Sequence, residues 1–324
     1  MSFARREAAS LRNQQRRLDW LLVFAIVLTG LAAGQSNNFR WDPRSWLAIL
    51  SIVAFIYGLS QFYRRVRRID DGRLAETLNE LAIMIACSAP IAALSYIVLA
   101  PAMPLQDARF AAGDLALGFD WPAWYRSVAA YPVLQQTLSA FYASSVPHVM
   151  IVLIAAGITG RTDRSRELNR VLLWSAVPVV LISGLVPALS AWVHHGLGLE
   201  KAYHLTTISA LREGGARELA VGRLLGIVTF PSYHTVMAMA LIWVCRGIAW
   251  MFWPTLIISL GVLLSIPSEG GHYLVDMISG ATITVFVICV NRRCSRISQM
   301  ACPYLPRAAP DDPLRLKTSL ARRR

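Results

Sequence analysis

The sequence predicts an all-α integral membrane protein of about eight transmembrane helices, and three observations lead there. The chain of 324 residues is 55% hydrophobic and 16% charged, with a mean hydropathy of +0.46. A soluble domain of this length carries more charge and shorter apolar runs. Apolar stretches near the ~20 residues that one bilayer crossing requires recur along the chain. Arginines gather in blocks that fall on one side when the stretches are counted as successive crossings.

The first span is expected over 20–34, flanked by charge and by Trp20. The basic start (Arg5, Arg6, Arg12, Arg16, Arg17) leads into it without a small-residue cleavage pattern, so no cleavable signal is expected. A short outer loop leads to a second span over 45–63. Arg64-Arg65-Val66-Arg67-Arg68 is the clearest cytoplasmic marker. A third span over 78–100 ends before Pro101 and Pro104.

Residues 101–131 mix Trp121, Trp124 and Tyr125 with Asp114, Asp120 and Arg126. This suits either a helix lying in the membrane interface or an outer loop with aromatic anchors. A fourth span is expected over 132–158 and a fifth over 170–192, kinked by Pro178 and Pro187. A long polar outer segment over 194–227 precedes the sixth span, which starts near Thr229. The seventh covers 250–266 and the eighth 272–290. The domain reading follows: 1–73 as an N-terminal segment with two accessory spans, 74–291 as a six-helix catalytic membrane domain, and 292–324 as a basic, disordered tail.

On this count 24 of the 32 Lys and Arg lie inside, both termini are cytoplasmic, and the net charge of +13 needs no nucleic-acid partner. The five cysteines (Cys87, Cys245, Cys289, Cys294, Cys302) form no Cys-x-x-Cys pair, so neither a disulfide framework nor a zinc site is indicated.

The chemistry concentrates at two points 38 residues apart, His234 and His272. That gap fits one span down and one back, returning both histidines to the same face. His272 and Asp276 are spaced i, i+4 and share a helix face. A carboxylate inside a span costs roughly 2.5–3.5 kcal/mol on insertion scales, so it needs a partner. If the carboxylate accepts one imidazole N–H, the other nitrogen keeps a free lone pair able to attack phosphorus. His234, after Pro231-Ser232, is placed to protonate a leaving oxygen. Gly270 and Gly271 allow close backbone approach, and a helix start offers N–H groups to an anion. On the pair alone, a His–Asp contact that only ties two helices together stays open, as does a metal site built from His234, His272 and Asp276.

Phe230-Pro231-Ser232-Tyr233-His234 and Gly271-His272-Tyr273-Leu274-Val275-Asp276 resemble the two motifs of the type 2 phosphatidic acid phosphatase superfamily, Pro-Ser-x-His and His-x-x-x-Asp. The likeness extends over about 114–290, including Gly118-Phe119-Asp120-Trp121 and Leu211-Arg212-Glu213-Gly214. The first motif without glycine looks like the branch holding inositol phosphorylceramide synthases and many bacterial homologues. The resemblance implies His272 as nucleophile, Asp276 as its orienter, and His234 as general acid and then base, with no metal or other cofactor.

The family's lysine and Arg-Pro motif is missing before Pro231, and Ile266 stands where an arginine is usual. Replacement phosphate contacts are therefore expected from Arg212 and Arg223 first, Lys201 next, together with Ser232 and Gly271. Attraction of these cations to anionic lipid headgroups is the competing reading. His194, His195 and His204 read as solvated loop residues, and His148 as a helix–helix hydrogen-bond partner.

The expected function is phosphatase or phosphotransferase action on a lipid phosphate or phosphodiester at the outer face of a bacterial inner membrane, among membrane lipids. Water or an alcohol such as inositol could be the acceptor. An isoprenoid diphosphate phosphatase and a non-enzymatic transporter or scaffold are the alternatives. Cysteines introduced near Ser209 or Glu269 should react with an impermeant thiol reagent added outside, and those near Arg67 or Asp163 should not. Outside labelling at Asp163 would invert the topology.

Overall fold

The computed structural model describes residues 2–65, 72–215 and 217–300, with side-chain surroundings from 14 to 294. Part of the basic marker loop, the tail from 301 on and Cys302 lie outside the described residues. Thirteen α-helices predominate among the described residues, with one two-stranded parallel pairing of β1 (Arg40–Trp41) with β2 (Glu218–Leu219).

The chain opens with α1 (Ser2–Ser36), α2 (Pro43–Arg65) and α3 (Arg73–Leu99). Two short helices follow, α4 (Asp107–Ala116) and α5 (Trp121–Ala129). Asp120 caps α5 by accepting the Ala123 N–H at 2.9 Å, and Pro122 occupies its first turn, where no N–H is needed. Next come α6 (Pro132–Ala143), α7 (Ser145–Ile158) and α8 (Thr162–Leu185). The segment after α8 holds α9 (Ala191–His195) and α10 (Leu205–Arg212), and the last described helices are α11 (Tyr233–Cys245), α12 (Ala249–Glu269) and α13 (Leu274–Met300).

Among the described residues six helices can cross a membrane by length and composition, or seven if α6 and α7 form one bent span. The expected fourth span is broken between them by 47°. Ser144 and Ser145 turn their hydroxyls onto the carbonyls of Phe141 and Tyr142 at 2.7 and 2.6 Å, and Pro147 supplies no N–H. Serine side chains that compete for helix carbonyls next to a proline bend a helix. The expected sixth span is α11, whose 13 residues rise only about 20 Å. The fifth begins earlier than expected, at Thr162, and ends before Pro187. The eighth runs on to Met300, so residues 292–300, expected as disordered tail, are helical.

Lipid tails are as apolar as leucine, so helices in a bilayer associate by close packing and interhelical hydrogen bonds. Both are visible here. Arg170 of α8 meets Asp19 of α1 at 3.1 Å, and Asn169 of α8 donates to the buried Glu80 carboxylate of α3 at 2.8 Å. Intramembrane charges turned inward and paired are what the bilayer permits. The α1 and α2 helices pack mainly on α3, while α7, α8, α11, α12 and α13 enclose a core of Leu153, Leu168, Val236 and Leu241.

At Gly280 of α13 the backbone of Ser232, at the start of α11, leaves no room for a Cβ. Gly280→Val should therefore push α11 from α13. The expected result is a lower thermal midpoint in detergent together with a loss of activity, whereas an exposed change such as Phe55→Leu on α2 leaves both unchanged.

Candidate active site

The two histidine motifs meet where α11 and α13 begin. Ser232 caps α11 through its Oγ, which accepts the Thr235 N–H, and its own N–H donates to the Asp276 carbonyl at 3.0 Å. That bond ties the first turn of one helix to the first turn of the other. The His234 ring then lies edge-to-face with the His272 ring, centroids 6.3 Å apart.

His272 Nδ1 is 3.2 Å from Asp276 Oδ2, and the same oxygen accepts the Tyr273 N–H at 2.9 Å. Asp276 is fully buried, and its second oxygen, Oδ1, has no hydrogen-bond partner among the described residues. A carboxylate facing Nδ1 sets the tautomer by accepting a hydrogen bond from Nδ1–H, which leaves Nε2 as the basic nitrogen. On the other side, Tyr142 stacks on His234 with centroids 4.2 Å apart, and its hydroxyl is 3.2 Å from His234 Nδ1. The bend after Ala143 is what turns Tyr142, at the end of α6, toward this ring.

Two aspartates of α4 position the loop before α13. Asp114 accepts the Leu274 and Val275 N–H groups at 2.9 and 3.0 Å. These are orphan donors of the helix start, and the preceding Gly270-Gly271-His272-Tyr273 has no side chain suited to cap them locally. Burial raises the Asp114 carboxyl above the usual carboxylate range, and the two N–H bonds oppose that rise. Asp107 accepts the backbone N–H groups of Leu189 and Ser190 and the Tyr273 hydroxyl, all within 3.1 Å.

Two indoles close the loop from outside. Trp121 of α5, 1% exposed, donates to the carbonyls of Pro267 and His272 at 3.1 Å each. Trp192 of α9 donates to Ser268 at 3.1 Å and packs against Gly271, whose φ of +62° is a glycine conformation. Within residues 101–131, Asp107, Asp114 and Trp121 thus act as buried braces for the loop.

The expected phosphate contacts divide. Ser232 and Gly271 lie in the loops that carry the histidines. Lys201 is on the same rim, but its Nζ is 2.9 Å from both carboxylate oxygens of Glu269. Arg212 donates to the carbonyls of Met103 and Ala102, ending a different turn of the fold. Arg223 is 81% exposed and 3.8 Å from Glu218. Neither arginine contacts His234, His272 or Asp276: a loop residue in β2–α11 can be near the motif in sequence and still point off the sheet edge.

His204, expected in solvent, is buried, and burial lowers its basicity. Its neutral Nε2–H donates to the Leu189 carbonyl at 3.0 Å. His195 stacks on Trp121, and His194 is exposed. His148 of α7 contacts Thr255 of α12 at 3.3 Å, the helix–helix bond expected of it. Among the described residues no three His, Cys, Asp or Glu side chains are placed to hold one metal ion.

These features define an all-α membrane protein with a buried pair of histidines, one of them held by a carboxylate. A family model described as the PAP2 superfamily matches residues 108–290, over half of the chain, and the protein belongs to that superfamily. Membership points to phosphatase-like activity on lipid phosphates. Neither the curated proteins nor the solved structures gave a match.

Asp114→Ala removes the cap of α13 and should cost about 1–2 kcal/mol. At this chain length that is a fall of several degrees in thermal midpoint, with activity lowered as well. Asp114→Asn, which can still accept one N–H, should lose less on both measures.

Proposed function

We propose that the protein transfers the phosphoryl group of a lipid phosphate, or the phosphorylated headgroup of a phosphodiester, through a phosphohistidine at His272. The observation that carries this reading is the buried Asp276–His272 contact facing the His234 ring. Nδ1–H of His272 donates to Asp276, and the Nε2 lone pair attacks phosphorus. The bond from phosphorus to the lipid oxygen breaks. In its acid form His234 carries a proton on each nitrogen, Nδ1–H donating to Tyr142 Oη and Nε2–H passing to the leaving oxygen. His234 is then neutral with a lone pair on Nε2, ready to deprotonate the water or alcohol that attacks the phosphohistidine.

The phosphoryl oxygens need fixed donors as charge moves onto them. The N–H groups at the start of α11, the backbone at Gly271, and Lys201 on the same rim are the groups the fold offers. The basic blocks support an active site at the outer face of a bacterial inner membrane with both termini cytoplasmic. The branch resembling inositol phosphorylceramide synthases, with transfer to an alcohol, stays part of this proposal, as does an isoprenoid diphosphate as substrate.

His272→Ala should abolish turnover and any acid-labile phosphohistidine trapped by rapid quench. Asp276→Asn should leave the protein folded and lower turnover by at least about 100-fold, since a wrongly held imidazole loses most of its nucleophilic advantage. His234→Ala should be slow on a lipid ester and faster on p-nitrophenyl phosphate, whose leaving group needs no proton. Wild-type rates in His272→Ala would end the assignment.

A further inference from the structure

A cavity of about 480 Å³ lies between α3, α7, α8 and α11, within the size range of sites for small molecules. Its walls are apolar, formed by residues such as Ile83, Ile91, Val149, Leu172 and Met237, and His234 belongs to the same lining. One face of His234 therefore looks onto Tyr142 and the other functional histidine, while another looks into a hydrocarbon-lined space. Along α3 the lining runs from Ile83 to Ser95, about 18 Å at 1.5 Å per residue, more than half of the ~30 Å hydrocarbon thickness of a bilayer. Ser88 on α3 and Val146 on α7 are exposed at its edge, so it opens sideways between these two apolar helices. A second groove of about 590 Å³, between α1, α2 and α3, is lined by Trp20, Trp41 and Trp46 and reaches neither histidine.

We propose that the α3–α7–α8–α11 cavity holds a single hydrocarbon chain of the leaving alcohol. This rests on the phosphohistidine reading above and adds which side of phosphorus the lipid occupies. The volume and the run of about 18 Å along α3 suit one extended hydrocarbon chain. The P–O bond that breaks is the one to the chain-bearing oxygen, and the proton from His234 ends on that oxygen. The lipid alcohol leaves through the α3–α7 opening, and the polar phosphoryl part stays on His272. For a diacyl lipid the second chain remains in the bilayer outside the opening. The shared chemistry is a long hydrocarbon chain on a phosphorylated alcohol, whether alkyl or isoprenoid.

The test fills the cavity from two walls, with Ala176→Phe on α8 and Ala92→Phe on α3, in full-length protein in detergent. Hexadecyl phosphate, farnesyl phosphate and butyl phosphate are the probes. Each variant should lower kcat/KM for the substrates with long chains at least about 10-fold, the scale of pocket discrimination by apolar volume, and leave butyl phosphate within about twofold. Leu50→Phe, in the other groove, should change none of the three. A larger loss with hexadecyl than with farnesyl substrate, or the reverse, tells which source fits. Equal losses on long and short substrates, or no loss on either in a folded variant, would overturn the proposal.

Photolabelling separates this proposal from the catalytic one. A photoreactive alkyl phosphate should mark Leu172 or Met237 in wild type and in His272→Ala alike. Cavity labelling without turnover in wild type keeps the chain site and removes the phosphohistidine. Turnover with labelling confined to the α1–α2–α3 groove does the opposite.

Discussion

The site depends on a carboxylate that has no route to water. Asp276 is wholly buried in the first turn of α13, and a carboxylate in low dielectric must find hydrogen-bond donors or become neutral. Its Oδ2 has two, the Tyr273 N–H and the His272 ring. The aspartate that needs a partner and the histidine that needs a fixed tautomer meet each other's requirement. The Asp276 backbone then anchors the other motif through Ser232, so both histidines are set by the same helical turn.

That turn cannot hold itself. The loop before α13 is glycine-rich, so its shape must be imposed from elsewhere, and α4, α5 and α9 supply the contacts. Asp114 takes the first free N–H groups of α13, Asp107 takes the Tyr273 hydroxyl, and Trp121 and Trp192 take carbonyls on the way in. Most of these bonds are made by buried groups, where a partner lost leaves an unsatisfied atom at a cost of about 1–3 kcal/mol. Small changes in α4 should therefore reach the histidines without touching them.

Much of this was legible in the sequence, for physical reasons. Bilayer thickness sets span length, so most helices could be placed from apolar runs alone, and i, i+4 spacing was enough to pair His272 with Asp276. The broken α6–α7 pair was harder, because Ser144, Ser145 and Pro147 bend a helix only through local hydrogen bonds that hydropathy ignores. The braces were not legible as braces: Asp114 is 160 positions from Leu274, and no local period connects them. Arg223 was expected at the phosphate from its proximity to Pro231 in sequence, and Arg212 from its place in the family-like Leu211-Arg212-Glu213-Gly214. Their guanidinium groups instead face carbonyls at the end of α3 and a glutamate at the surface, directions that only the tertiary path of residues 202–232 determines.

The central claim is that phosphorus passes through two displacements, first onto His272 and then onto the acceptor. Each displacement inverts the configuration at phosphorus, so two restore it. The direct measurement is hydrolysis of a lipid ester of an isotopically chiral thiophosphate in isotopically labelled water, with the configuration of the released thiophosphate read by phosphorus NMR. The account predicts net retention. Net inversion would mean that water attacks the lipid phosphate directly, and would contradict His272 as the nucleophile.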